Sequence, residues 1–461
     1  MKKIVPAEDI ASLLKQEEGI FFDYKAVEVS PASLSKSISA FANTSGGEII
    51  VGVDEVADIQ GKEHYWRGFP DQEAANPIFA IIEKLGGLNV CSTSFLESEN
   101  EEGYLLHITI RKTQGIIKAT NDLPYTRRNA QNLKVETTDA LRRLELDKGI
   151  ASFEDETVNV EVNEVSNSIT ALEFMLQQIP HSEPEVWLKS QFLLNNGSPT
   201  VASILLFADE PQAILPKRCA IKIFRYTTTD EGVDRERLAF DPLTVEGPIV
   251  DLISKAVAQT KEIVEGIKRM TEGGLEEISY PDETLHEIIT NAVLHRDYSI
   301  ATDTQIRIYD DRIEVQSPGR LAGHVTIETV LDEQFARNGK IVRMANKFPN
   351  PPNKDVGEGL NTAFEAMKKI RLAEPEITET ENSVLVFIRH QRLASPAQII
   401  MEYLDSHTEI TNQIGREITG LRRDVQVKDE FVALRKRGLL EQVPGKRGRA
   451  SAWRKPLPTK S

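Results

Sequence analysis

Ser35–Glu55 reads SKSISAFANTSGGEIIVGVDE, and the reading of the first module starts there. Leu34, Ile38 and Phe41 recur at the spacing of one helix face, which predicts a helix over Ser33–Thr44. Gly46-Gly47 ends it. Glu48–Asp54 (EIIVGVD) then reads as a short buried strand with Asp54 at its exposed end. Tyr104–Ile110 alternates apolar and polar residues and suits a further strand. Residues 1–150 are therefore expected to be mixed α/β.

The whole chain has 461 residues, enough for about three domains at roughly 100–200 residues each. Its net charge of −16 excludes a uniformly basic nucleic-acid coat but leaves room for a local basic patch. That patch lies at the end: residues 416–461 hold 13 Lys/Arg against 5 Asp/Glu, a net of +8. Only Cys91 and Cys219 occur, which excludes a disulfide scaffold and a Cys-rich zinc site and fits a reducing compartment. The N-terminal lysines have no apolar run behind them, and no stretch approaches the ~18 apolar residues of a membrane span. A cytoplasmic protein is expected.

Composition breaks suggest four parts: 1–150, a connecting α/β segment 151–280, 281–392 and 393–461. FEDETVNVEVNEV (Phe153–Val165) reads as a solvated acidic connector, and Val201–Phe207 and Ala220–Tyr226 read as strands. Ile169–Ile179, Val250–Met270 and Asp282–Leu294 have helical patterns. Gln305–Tyr309, Arg312–Gln316 and Ser383–Arg389 read as strands, and another helix follows Gly359.

Near the N-terminus, Glu18 and Asp23 are followed by Lys25 in EGIFFDYK. Hard divalent cations take oxygen ligands, so Glu18, Asp23 and Asp54 are candidate Mg²⁺ or Mn²⁺ ligands, with Lys25 stabilising developing negative charge. By spacing alone the default is three solvated carboxylates. The combination E-x-x-x-x-D-Y-K, SKSISAFANTSGGEIIVGVDE and DIQG, with YTRRNAQNLKVET downstream, resembles the Schlafen AlbA-type domain over about residues 10–145. That resemblance implies a metal-dependent ribonuclease site at Glu18, Asp23 and Asp54, or else a binding-only or regulatory module. The family's second acid is usually Glu; Asp23 is a methylene shorter. Arg127 and Arg128 are candidate phosphate contacts, which fix position without reading sequence.

Glu287 and Asn291 lie four residues apart in the helix Asp282–Leu294 and so share a face. The near-miss HEIIT lacks the second His of a zinc motif, because position 290 is Thr290. E-x-x-x-N resembles the N-box of the GHKL ATP-binding fold. HEIITNAVLHRDYS, IRIYDDRIEVQSPGRL and VGEGLNTAFEAM, after VASILLFADEPQAILPKRCAIKIFRY, resemble the RecG-related, divergent GHKL-like region over about 195–390. The resemblance implies Asn291 as ligand of a nucleotide-bound metal and Glu287 as candidate base. Gly357 and Gly359, before a helix, would admit phosphates, with Gly319 in the weakly matched Ser317-Pro318-Gly319. No P-loop occurs, so a helicase is not implied, and His295–Asp297 (HRD) lacks every other kinase signature.

The basic end has helical spacing at Ile399, Ile400, Tyr403 and Leu404, a helix near Val427–Arg437, and a basic hairpin. That is the pattern of a winged helix. Arg435, Lys436, Arg437, Lys446, Arg447 and Arg449 are the candidate nucleic-acid contacts, with Trp453 interleaved.

The fold class expected is a multi-domain α/β (α+β) chain: a Schlafen-like domain, a GHKL-like α/β sandwich and a C-terminal winged helix. The function expected is a metal-dependent nuclease on RNA or DNA, gated by ATP and DNA binding, as in a phage-defence or stress effector. The alternative is an ATP-responsive DNA-binding regulator that does not cut. The resemblance also implies a homo-oligomer.

Overall fold

Ser30 and Pro31 start the first predicted helix: the Ser30 hydroxyl accepts from the Ser33 amide at 3.2 Å, and Pro31 takes the first helical position. The computed structural model describes residues 2–58, 61–215, 219–230, 235–271, 274–352, 359–391, 395–421, 423–444, 446 and 451–456. They form two units: Met1–Ser152 with Arg320–Arg337, and Phe153–Gly319 with Asn338–Ser461.

In the first unit the helices are α1 (Ala7–Leu14), α2 (Pro31–Asn43), α3 (Asn76–Lys84) and α4 (Thr138–Lys148). The strands are β1 (Lys2–Ile4), β2 (Phe22–Lys25), β3 (Gly47–Val51), β4 (Val53–Asp58), β5 (Gly61–Trp66), β6 (Cys91–Glu97), β7 (Leu105–Ile110), β8 (Tyr125–Arg128) and β9 (Gln131–Lys134). A five-stranded sheet runs β1-β6-β7-β3-β2, with β2 parallel to β3 at its edge. Leu34, Ile38 and Phe41 are fully buried against Ile49, Val51 and Ile108 of this sheet.

The expected strand Glu48–Asp54 is broken in two. Gly52 adopts φ +114°, and a Cβ there would lie 2.8 Å from the Leu105 side chain. The chain turns at that point, and Asp54 belongs to the separate β4–β5 hairpin.

Lys148 ends α4 almost wholly buried, its Nζ donating to the Ala42 carbonyl at 2.7 Å and the Thr113 hydroxyl at 3.0 Å. Asn43 is also buried and ties α2 to the chain beyond β7, donating to the carbonyls of Ile117 at 2.7 Å and Tyr125 at 3.0 Å.

The second unit is built on a six-stranded sheet in the order Leu243–Val245, Ile221–Arg225, Thr304–Ile308, Arg312–Pro318, Ser383–Arg389, Glu376–Glu379. Strand Ile221–Arg225 pairs with Thr304–Ile308, so part of the expected connecting segment shares one sheet with the 281–392 region. The helices Ile249–Glu265, Asp282–Leu294 and Gly359–Lys369 bury Ile221, Ile223, Ile306, Val315 and Ile388 on one face.

Two expectations are corrected here. Val201–Phe207 is a helix, capped by Thr200 and buried at every position. A continuous apolar run carries no periodicity that would separate helix from strand. The acidic connector is not simply solvated. Glu154 is buried and accepts from the Lys340 and Ile341 amides at 2.8 Å each, capping the helix Gly339–Ala345. Val165 lies in the core.

The C-terminal segment runs helix Pro396–Ser406, strand Ile410–Thr411, helices Asn412–Thr419 and Asp424–Lys436, then strands Glu441–Gln442 and Ala452–Arg454. The three strands form one sheet over a core of Ile400, Leu404, Val427, Phe431, Leu434 and Trp453. Trp453 is thus a core residue, its ring 5.5 Å from that of Phe431. Among the described residues no helix is long and apolar enough to cross a membrane.

Burial, with Lys112 nearby, pushes the Lys148 ammonium down to about 7. Between that pH and the ordinary lysine range the unfolded chain holds a proton that the folded chain has released. The first unit should therefore gain stability as pH rises from about 7 towards 10, with no further change from this group below about 7, where both states hold the proton. Urea denaturation across that range should show the rise in the native chain and a flatter profile in Lys148→Met.

Candidate functional site

Asp23 sits in edge strand β2 with its carboxylate buried. Two cations already meet it: Lys25 Nζ at 2.5 Å and Arg127 Nη1 at 3.4 Å. Arg127 comes from β8 and is itself buried. Its guanidinium also donates to the carbonyls of Gly19 at 3.0 Å and Phe22 at 3.3 Å and to Asn132 Oδ1 at 2.9 Å, and it lies 4.6 Å from the Phe41 ring centroid. Asn132 in turn donates to the Ser37 hydroxyl of α2 at 2.9 Å.

Glu18 joins Asp23. It accepts from the Tyr24 amide at 3.0 Å. Burial, and then a hydrogen bond with the Asp23 carboxyl beside it, push its own carboxyl above the usual range. Asp54, in β4, pairs instead with Arg67 at 3.3 Å, and Arg67 also holds Glu28 at 2.5 Å. Among the described residues no group of three His, Cys, Asp or Glu side chains is arranged to hold a metal ion. Of the three acids, Asp23 and Asp54 are paired with protein cations.

Arg127 is an internal clamp where a surface phosphate contact was expected, while Arg128 is exposed on the β8–β9 hairpin. The sequence reading passed over Arg67 and Asn132. Arg67 follows Tyr65 and Trp66, Asn132 lies in a polar hairpin, and nothing local marks the partner of either.

In the second unit, Asn291 Nδ2 donates to Glu287 Oε1 at 2.7 Å, and both side chains are half-buried. Thr284 of the same helix donates to the Ala363 carbonyl at 3.1 Å, which ties it to the helix Gly359–Lys369. The carboxylate and amide oxygens of this pair are the hard donors that a magnesium-bound nucleotide takes. Gly359 begins its helix at φ +42°. Gly357 lies outside the described residues. Gly319 has a packing reason for being glycine: at φ +99° a Cβ would stand 2.5 Å from Asp297 Cβ. Arg296, in the HRD stretch, is buried and donates to the Thr302 carbonyl at 2.6 Å, which is an internal role.

At the C-terminus Arg435, Lys436 and Arg437 are exposed. Lys446 differs from expectation, being paired with Glu409. Arg454 is paired with Glu441 at 2.8 Å. Arg447 and Arg449 lie outside the described residues.

Residues 18–136 match the family model described as Schlafen, AlbA_2, a span that includes Glu18, Asp23, Asp54, Arg127 and Arg128. Residues 302–388 match the family model described as "Putative ATP-dependent DNA helicase recG C-terminal". The chain thus carries a Schlafen AlbA_2 domain followed by a RecG-related C-terminal domain. Glu287 and Asn291 precede the second match. No curated protein matches the chain. Among solved structures, the DIP2311 protein from Corynebacterium diphtheriae is 17% identical, with 95% of this chain and 92% of that chain covered and a TM-score of 0.41. The N-terminal domain of a RecG-related protein from Nitrosomonas europaea, titled a putative ATP-dependent DNA helicase, is also 17% identical, with 26% of this chain and 84% of that chain covered and a TM-score of 0.22.

Removing Arg127 strands three acceptors and leaves the buried Asp23 carboxylate with Lys25 alone. Arg127→Met should lower unfolding free energy by about 3–5 kcal/mol in urea denaturation. Arg127→Lys should recover little, because an ammonium cannot reproduce the planar fork.

Proposed function

We propose that this chain is a nucleic-acid-binding protein that responds to ATP and does not cut its target. The observation that carries this reading is the neutralised Asp23, held by Lys25 and Arg127 while Asp54 is held by Arg67. The N-terminal acids then serve to fix the β8–β9 hairpin, with Arg128 on its exposed side as a phosphate contact.

The C-terminal segment reads as a winged helix. Its element order is helix, strand, helix, helix, hairpin, and its Asp424–Lys436 helix would enter the major groove of duplex DNA. Arg435, Lys436 and Arg437, at the end of that helix, would meet backbone phosphates. The described part of the helix also carries Asp424, Asp429 and Glu430, which makes phosphate contact near its C-terminal end the favoured mode.

Glu287 and Asn291 would hold the magnesium of a bound ATP, which supplies charge for a conformational bias. The route to the DNA-binding segment is contiguous. The Asn291 helix is bonded to the helix Gly359–Lys369 through Thr284. Just beyond that helix, Arg371 pairs with Glu402 at 3.1 Å. Ile370 lies so close to Gly420 that a Cβ on Gly420 would stand 3.0 Å from it.

Arg435→Ala/Lys436→Ala/Arg437→Ala should weaken binding to mixed-sequence duplex DNA and make its salt dependence shallower by roughly 0.9 per lost phosphate contact. ATP with Mg²⁺ should shift the duplex affinity of the native chain but not of Asn291→Ala. Incubation with tRNA and Mg²⁺ or Mn²⁺ should leave the RNA intact. Cleavage that disappears in Asp54→Ala would replace this reading with the nuclease one.

A further inference from the structure

Among the described residues, no hydrophobic core cluster covers the face of the six-stranded sheet opposite the helices. Side chains alternate along each strand, so the neighbours of the buried Ile223, Ile306 and Val315 point the other way. On that side Lys222, Phe224, Arg307, Leu385 and Phe387 are each half-buried, and none belongs to a hydrophobic core cluster. Phe224, Arg307, Glu314 and Phe387 stand side by side across four successive strands. At strand spacings of about 4.8 Å the two phenylalanines are roughly 14 Å apart, with the Arg307 guanidinium between them.

That guanidinium is held in place. It donates to Gln305 and Gln316 at 2.6 Å each, and Glu314 stands at 3.7 Å. Arg389 lies over the Phe387 ring at 5.4 Å and pairs with Glu376 at 3.0 Å. Lys222 stands one step along the same face. Counting Lys222, Arg307, Arg312 and Arg389 against Glu314, Glu376 and Asp311, which pairs with Arg312, the face is net positive by one in a chain whose net charge is −16.

We propose that this open sheet face binds single-stranded nucleic acid, with bases stacking on Phe224, the Arg307 guanidinium and Phe387, and the sugar-phosphate strand running past Lys222. Flat aromatic and guanidinium surfaces accept any base, and basic side chains beside them track the backbone. A duplex offers no free base faces to such a platform. A second copy of this chain would bury three apolar side chains separated by charge, a poor match to an obligate interface. The site is distinct from the duplex contacts at Arg435–Arg437, and its test does not depend on them.

Fluorescence anisotropy of the full chain with 5′-labelled twelve-residue oligothymidylate reads the site directly. The native chain should bind it. Phe224→Leu/Phe387→Leu, which keeps apolar bulk but loses the rings, should bind at least ten-fold more weakly while duplex affinity is unchanged. Lys222→Glu disturbs no core residue and keeps the test decisive if the double variant fails to fold; it should weaken binding several-fold. No binding by the native chain, equal binding by Lys222→Glu and the double variant, or a loss reproduced only by Arg435→Ala/Lys436→Ala/Arg437→Ala would overturn the proposal.

Discussion

A guanidinium buried against a carboxylate organises the N-terminal unit. Arg127 gathers Asp23, Asn132 and the carbonyls of Gly19 and Phe22 around one planar group. A charge this deeply buried is tolerated only when its donors and its countercharge are both matched. The arrangement therefore fixes the β8–β9 hairpin beside β2. It also supports the proposed binding reading, because a carboxylate compensated by two protein cations is a weak competitor for a third.

Much of the fold was legible where periodicity was clean. Asp282–Leu294 and Ser383–Arg389 lie at the predicted bounds, and Leu34, Ile38 and Phe41 line a core face. Legibility failed where the signal was not periodic. Val201–Phe207 is apolar throughout, so burial on every side erased the distinction between helix and strand. Phe153–Val165 looks solvated from its charge, yet one of its acids, Glu154, is drawn inside to cap the Gly339–Ala345 helix.

The candidate site was legible as residue types but not as partners. Glu18 and Asp23 do meet, and Glu287 and Asn291 are hydrogen-bonded at their i, i+4 spacing. The strand Glu48–Asp54 was read as continuous, but Gly52 turns the chain between two apparently continuous segments and places Asp54 in the β4–β5 hairpin. Arg127 and Arg67 come from elsewhere in the chain, and which acid each meets is a tertiary fact. The same holds for the open sheet face of the second unit. Its alternation is visible in each strand, whereas the row Phe224, Arg307, Glu314 and Phe387 exists only once four strands are in register.

Manganese titration calorimetry on the full chain, without nucleotide, is the most direct test of the compensated-acid account. It predicts that the native chain, Asp23→Asn and Asp54→Ala give the same heats, because no divalent site depends on those carboxylates. A micromolar site present in the native chain and lost in both variants would contradict it.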